Sequence, residues 1–267
     1  MLGKLLKYDF RSVSREYMLL WPAALIVALV MRFTIFSRLD TVDNNLLANI
    51  TNVLTVFLYV AVLVAMFIIT LLFIIQRFYK GVLGGEGYLM NTLPVRPWQL
   101  VTSKLICAVV LLLVSTAVAA LSVFLMFPIS LQDILRIDFS TLWERLMEVF
   151  PSFPLLVVEF ILCSLAGTIA SVTQLYFAMA LGNLFGKNRL LGSIVSYVGI
   201  SMVLNILSTV VTTILSMSAT YYYKLWAETP ALFLHGFLWL AIIASILMAV
   251  VFFFGTTYIL KNKLNLE

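Results

Sequence analysis

Charged residues are scarce in this sequence. Asp, Glu, Lys and Arg make up 11% of its 267 residues, whereas an ordinary soluble domain carries roughly 25%. A soluble chain of this length would need far more charge to cover the surface that it exposes to water. The shortage excludes a water-soluble domain and indicates a chain whose lateral surface faces lipid.

Residues that could build a catalytic or metal site are also rare. Two cysteines, Cys107 and Cys163, lie inside apolar runs with neither a disulfide pattern nor metal-ligand spacing. The single histidine, His235, has no accompanying ligand set or serine motif. The segment from Gly182 to Asn188, GNLFGKN, departs from a phosphate-binding loop in its spacing and its last residue. The sequence therefore predicts no catalytic residue, metal or cofactor.

Long apolar runs are what the sequence does contain. Apolar residues make up 63% of the chain, and the mean hydropathy is +1.09. A helix needs about 20 apolar residues to cross a bilayer core. Six stretches qualify, approximately 17–36, 52–76, 105–129, 153–184, 190–217 and 230–260. We therefore predict an all-α integral membrane protein, with one transmembrane domain over residues 1–267.

The basic residues predict the orientation of these spans. Alternate loops and the two termini hold twelve bases: Lys4, Lys7, Arg11, Arg15, Arg77, Lys80, Arg96, Lys104, Lys187, Arg189, Lys261 and Lys263. The opposite side holds five: Arg32, Arg38, Arg136, Arg145 and Lys224. Because cytoplasmic loops are enriched in Lys and Arg, both termini are predicted to be cytoplasmic. The net charge of +5 is then a sign of topology and not of nucleic-acid binding.

Two amphipathic segments lie outside the predicted spans. In residues 1–16, apolar and basic residues recur at helical spacing on different sides, which is typical of a helix lying in the membrane surface. A plain basic flank of the first span is the alternative. In the outer loop between the third and fourth spans, Thr141 to Glu144 predicts a capping box that opens a short helix.

Glu159 is an acid inside the predicted fourth span. A charge in lipid is costly, so an ionisable residue there is a candidate for function. Arg32, near the outer end of the first span, is a candidate partner in an intramembrane charge pair. The two alternatives are a structural ion pair and a role in carrying protons or substrate.

The loop from Arg77 to Lys104 is the most informative stretch. Its glycines and prolines do not allow one long helix, although short helical pieces fit at either side. Its apolar side chains are costly to leave in water, and they are Tyr88, Leu89, Met90, Leu93 and Trp98. Such a loop favours contact with a soluble partner.

This loop resembles the intracellular loop of type-2 ABC exporter permeases. The matching residues are Glu86-Gly87-Tyr88, Asn91-Thr92-Leu93-Pro94-Val95, Gln99-Leu100-Val101 and Ser103-Lys104. Residues 1–16 are similar to the elbow helix of that family, and six spans with cytoplasmic termini complete the resemblance. The chain departs from some members in the short outer segment between its fifth and sixth predicted spans.

The resemblance implies a permease subunit of an ATP-driven exporter. It implies two permease copies or paralogues, a separate pair of ABC ATPases, and a bacterial cytoplasmic membrane. The residues that would contact the ATPase are Gly85, Glu86, Gly87, Tyr88, Leu93 and Pro94. An amphiphilic or peptide-like substrate, with a role in antibiotic resistance, is implied by analogy. A stand-alone ion-coupled transporter, an intramembrane enzyme and a non-transporting sensor subunit are the alternatives.

Overall fold

The computed structural model describes residues 2–39, 46–83, 97–126, 139–149, 152–185, 188–221 and 230–262. Almost all of these residues are helical, and no strand occurs among them. The described α-helices are α1 (Leu2–Leu39), α2 (Leu46–Phe78), α3 (Pro97–Met126), α4 (Phe139–Val149), α5 (Phe153–Gly182), α6 (Arg189–Tyr221) and α7 (Pro230–Asn262). A π-helical turn, Tyr79–Leu83, follows α2 directly. The predicted all-helical class is therefore confirmed.

Five of the described helices are long and apolar enough to cross a membrane. They are α2, α3, α5, α6 and α7, and their mean hydropathies lie between 2.0 and 3.0. α1 contributes a shorter apolar segment, Leu19–Phe33. The chain is therefore membrane-embedded, but the six predicted spans are not all found by this criterion.

The N-terminal prediction of two separate elements is not confirmed. The sequence predicted an interfacial helix over 1–16 and a span over 17–36, whereas α1 runs unbroken from Leu2 to Leu39 and contains Pro22. Between Gly3 and Pro22 the sequence has neither Gly nor Pro, so no residue there interrupts a helix.

Both described ends of the predicted loop from Arg77 to Lys104 are helical. The helical backbone of α2 continues through the π-turn to Leu83, and Pro97 is the first residue of α3. Proline favours the first helical position because its missing N–H would have no partner there. The short helix predicted between the third and fourth spans is present as α4, although it begins at Phe139, two residues before the predicted capping residue Thr141.

The chain divides into two compact units. Unit 1 comprises residues 1–77 and 106–139, and unit 2 comprises 78–105 and 140–267. Unit 1 therefore contains α1, nearly all of α2 and most of α3. Unit 2 contains the π-turn, the beginning of α3, and α4 to α7.

Unit 1 is held together by contacts spaced along the whole of α1. Near one end, Tyr17 packs with Phe73 of α2 and Cys107 of α3, and Trp21 Nε1 donates to Ser115 Oγ at 3.2 Å. Farther along α1, the hydrophobic cluster consists of Val27, Ala28, Met31, Tyr59, Leu63 and Met126. The residue numbers show that α1 runs antiparallel to α2 and parallel to α3.

Unit 2 places α5 between two neighbours. Gln174 of α5 donates to Ser201 of the antiparallel α6 at 2.9 Å. On the parallel helix α7, Phe252 stacks on Phe177 with ring centroids 5.4 Å apart. Gly255 allows this close approach, because a Cβ there would lie 2.5 Å from the Phe177 ring.

Candidate functional site

A buried polar cluster joins α5 to α7 in unit 2. Glu159 is 3% exposed, and both of its carboxylate oxygens are bound. His235 Nδ1 lies 2.6 Å from Oε2, and Trp239 Nε1–H donates to Oε1 at 2.8 Å. His235 and Trp239 are four residues apart on α7, so they lie on one face of the helix, which brings both to the same carboxylate.

The cluster lies about one and a half turns inside each helix. Glu159 is the seventh residue of α5 and His235 is the sixth residue of α7, which places them about 9 Å and 8 Å from the helix starts. Both helices are apolar over the length of a membrane span. A carboxylate at such a position is retained only when hydrogen bonds compensate for its lost hydration, and His235 and Trp239 supply them.

The Glu159–His235 contact can exist with two different net charges. Nδ1 can donate to Oε2 when the imidazole is neutral and protonated at Nδ1, and also when both ring nitrogens are protonated. The pair carries one negative charge in the first state and no net charge in the second.

The sequence pointed to Glu159 but not to its observed partner, because His235 was considered only as a catalytic candidate. The predicted spans 153–184 and 230–260 both begin on the outer side, and Glu159 and His235 are their seventh and sixth residues. This shared depth could have predicted the contact. The predicted pairing of Glu159 with Arg32 joins residues of different units, so it stays a prediction. Within unit 1, the Arg32 guanidinium donates to the Leu125 carbonyl at 3.5 Å.

The predicted ATPase-contact residues lie outside the described residues. These are Gly85, Glu86, Gly87, Tyr88, Leu93 and Pro94, all within 84–96. The structure does describe the residues on both sides of this segment. They belong to the best-buried part of unit 2.

The two ends of the 84–96 segment are anchored in one core. On the preceding side, Phe78 and Val82 are fully buried. On the following side, Leu100 is 4% exposed and Val101 is 1% exposed. Burial of four apolar side chains contributes on the order of several kcal/mol and fixes the backbone at both ends.

Tyr176 of α5 contacts both of these ends. Its ring stacks on Phe78 with centroids 4.0 Å apart and planes 12° apart. Its hydroxyl donates to the carbonyl of Lys104 at 3.1 Å. The Lys104 side chain lies beside the π-turn, where a Cβ on Gly81 would lie 3.5 Å from Nζ. Residues on both sides of the segment are therefore in contact with Tyr176 of α5.

Unit 1 contains a second carboxylate pair that sequence analysis did not identify. Arg77, at the end of α2, donates to Asp9 Oδ1 at 2.8 Å and to the Asp9 carbonyl at 2.6 Å. The guanidinium also lies 5.9 Å from the Phe73 ring centroid. This pair attaches the beginning of α1 to the end of α2.

Within the described parts of the chain, no three His, Cys, Asp or Glu residues are grouped closely enough to hold a metal ion. Cys107 is buried and Cys163 is half-buried, and both are free thiols.

Comparison with known proteins yields no relative. No protein-family model, no curated protein and no solved structure matches this chain.

Proposed function

We propose that this chain is the membrane permease subunit of an ATP-driven ABC exporter. Two copies, or this chain and a related permease, would form the pathway for an amphiphilic or peptide-like substrate across the bacterial cytoplasmic membrane. Separate ATPase chains would bind the cytoplasmic segment 84–96 and hydrolyse ATP. The proposal starts from the resemblance of the sequence around Glu86 and Pro94 to type-2 exporter permeases.

The anchoring of the 84–96 segment is the observation that carries the proposal. A segment that transmits force from a soluble partner must be fixed to the helices that it moves. Phe78 and Lys104, on either side of the segment, both contact Tyr176 of α5. Movement of the segment would therefore be transmitted to α5.

The proposal includes α1 as a sixth span. The contacts of α1 with α2 and α3 extend from Asp9 to Arg32, and 23 residues of helix rise about 35 Å. This length is comparable with the roughly 30 Å hydrocarbon core of a bilayer. Residues 17–36 would cross the membrane, and the preceding turns would extend the same helix on the cytoplasmic side.

Labelling with an impermeant thiol reagent tests the topology. With Cys107 and Cys163 replaced by alanine, single cysteines at Asn44 and Ser140 should react in intact cells. Cysteines at Gly85 and Asn188 should react only after the cells are permeabilised. Labelling at Gly85 in intact cells would contradict both the six-span arrangement and the proposed ATPase contact.

Charge reversal in the 84–96 segment tests the function. Glu86→Lys should abolish pull-down of the partner ATPase, or leave it bound with ATP hydrolysis no longer stimulated by substrate. Tyr88→Ala and Leu93→Ala should each weaken the contact by about 1 to 3 kcal/mol if these residues are its apolar anchors. Glu144→Lys is the matched control, because it reverses the charge of an exposed side chain on α4, at the opposite predicted face. ATPase binding unchanged in all three segment variants would refute the proposal.

The hydrogen bond from the Tyr176 hydroxyl to the Lys104 carbonyl can be tested separately. Tyr176→Phe retains the ring that stacks on Phe78 and removes only the hydroxyl that binds Lys104. We expect normal ATPase pull-down with less transport per ATP hydrolysed. Reduced pull-down would indicate instead that the hydroxyl shapes the binding segment itself.

The Glu159–His235 pair favours a second candidate, a stand-alone proton-coupled transporter. A buried pair that changes its charge by one proton could couple substrate movement to a proton gradient. In liposomes without any ATPase, such a transporter would accumulate substrate when a pH gradient is imposed, and Glu159→Gln would abolish the uptake. The ABC permease instead requires ATP and its partner, and Glu159→Gln would leave that transport largely intact.

A further inference from the structure

An open groove lies where the beginning of α3 meets the last turns of α7, within unit 2. It has a volume of about 530 Å³, within the roughly 300–1,000 Å³ typical of ligand pockets. Its walls carry Trp98 on one side, and Phe253, Phe254, Tyr258 and Lys261 on the other. The aromatic side chains are well exposed in the chain by itself, Phe254 at 65% and Tyr258 at 61%.

The groove changes in character along α7. Phe253 and Lys261 are eight residues apart, so the groove follows the helix for about 12 Å. The groove is aromatic and apolar near Phe253, and at its other end it holds one ammonium group, that of Lys261. Thr257 adds a hydroxyl to the lining, but this hydroxyl already donates to the Phe253 and Phe254 carbonyls. Among the described residues that line the groove, none is acidic.

The ends of the two helices place the groove at the edge of the lipid. Lys261 and Asn262 end a helix whose preceding residues are apolar over the length of a membrane span. Trp and Tyr concentrate where hydrocarbon meets the headgroups, which is the level that Trp98 and Tyr258 would occupy. In the sequence, Arg96 precedes the groove residues of α3 and Lys263 follows those of α7.

We propose that this groove binds an anionic phospholipid, with one acyl chain against the aromatic wall and its phosphate on Lys261. An acyl chain matches the apolar end, and a phosphate matches a lone base at headgroup depth. A second copy of this chain fits less well. A twofold interface would bring the same patch, and therefore both copies of Lys261, together, and the described lining residues supply no acid between them. The inference requires only that the chain is embedded in a membrane, so it does not depend on the proposed transport function.

Photo-crosslinking from the groove tests the proposal. Position 258 would carry p-benzoylphenylalanine in place of Tyr258, in protein reconstituted into vesicles of equal parts phosphatidylglycerol and phosphatidylcholine. Tyr197, an exposed tyrosine on α6, would carry the same probe as the reference for ordinary lipid contact. We expect phosphatidylglycerol to exceed phosphatidylcholine about fivefold at position 258 and to show no such excess at position 197.

Neutralising Lys261 should abolish the preference for phosphatidylglycerol over phosphatidylcholine. Lys261→Gln should bring the crosslinking ratio at position 258 down to that at position 197. Lys80→Gln is the matched control, because it removes the same charge from an exposed residue that does not line the groove. Lys261 and Tyr258 are exposed, so neither change disturbs the core.

Three results would overturn the proposal. Equal capture of the two lipids at position 258 would show that the groove has no headgroup preference. If Lys261→Gln left the ratio of phosphatidylglycerol to phosphatidylcholine crosslinks at position 258 unchanged, the proposed contact between the phosphate and Lys261 would be contradicted. Crosslinks from position 258 to a second protein copy, in place of lipid, would assign the groove to an interface between subunits.

Discussion

Unit 1 pairs its buried carboxylate with an arginine, whereas unit 2 pairs its own with a histidine. In unit 1, Asp9 accepts hydrogen bonds from Arg77, and in unit 2, Glu159 is bound by His235 and Trp239. Both pairs join two helices, and both carboxylates are at least nine-tenths buried. The two pairs differ in the basic residue, which is Arg77 in unit 1 and His235 in unit 2.

The two bases have different chemical capacities. A guanidinium is always charged and donates from a rigid planar fork, so the Asp9–Arg77 pair has one charge state and fixes its geometry. An imidazole can carry one proton or two, so the Glu159–His235 pair can have either of two charge states. The first pair is suited to holding helices together in one geometry, whereas in the second the carboxylate is bound by an imidazole and an indole.

The largest expected effect is in unit 1. Arg77→Met leaves Asp9 buried without its cationic partner, which should lower the free energy of unfolding by about 3 kcal/mol. The double variant Asp9→Leu/Arg77→Met should recover part of this loss, because it removes the stranded carboxylate as well. Denaturant unfolding in mixed micelles measures both.

Lys80→Met serves as the control for that measurement. It removes an exposed base only three residues farther along the chain, and it should change stability by less than about 0.5 kcal/mol. If Arg77→Met cost no more than Lys80→Met, the Asp9–Arg77 pair would not be a fixed structural link and the contrast with unit 2 would disappear.

The next effect separates hydrogen bonding from charge in unit 2. Glu159→Ala leaves His235 and Trp239 without their common acceptor and should lower the unfolding free energy by about 2 kcal/mol. Glu159→Gln keeps an oxygen for Trp239 and supplies an amide that can donate to His235, so its cost should stay below about 1 kcal/mol. Equal losses in the two variants would mean that the charge itself stabilises unit 2, as it does in unit 1.

A smaller effect is expected from Trp239. Trp239→Phe removes the donor to Glu159 Oε1 but leaves the His235 contact, so unfolding should become easier by about 1 kcal/mol. Trp143→Phe in α4 is the matched control, since its exposed ring is not part of the Glu159 cluster. If the two variants behaved alike, His235 alone would account for the binding of the carboxylate.

The smallest effect comes from a neutral pair in unit 1. The hydroxyls of Tyr59 and Ser122 lie 2.7 Å apart, and Ser122 also donates to the Ala119 carbonyl. Tyr59→Phe should therefore cost only about 0.6 kcal/mol, the average for hydrogen bonds between membrane helices. A loss as large as that of Arg77→Met would show that neutral contacts hold unit 1 as firmly as its ion pair.

The positions of most helices were predictable from the chain alone. Six apolar runs were predicted, and helices occupy all of these stretches over the residues that the structure describes. Apolar length is a local property of the sequence, and a backbone in lipid must satisfy its own hydrogen bonds within a helix. The exact ends were less predictable: α1 continues through Pro22, whereas Pro97 is the first residue of α3, so the same residue type lies inside one helix and at the start of another.

The sequence by itself determined that this protein is a helical membrane protein, and it placed Glu159 and His235 near the same ends of their spans. Only the tertiary structure decided that these two residues meet, that Asp9 meets Arg77, and that Tyr176 ties Phe78 to Lys104. The physical reason is that lipid is as apolar as a protein interior. Hydropathy therefore marks which residues form a span, but the rotation of each helix, and with it the partner of each polar side chain, depends on how the helices pack.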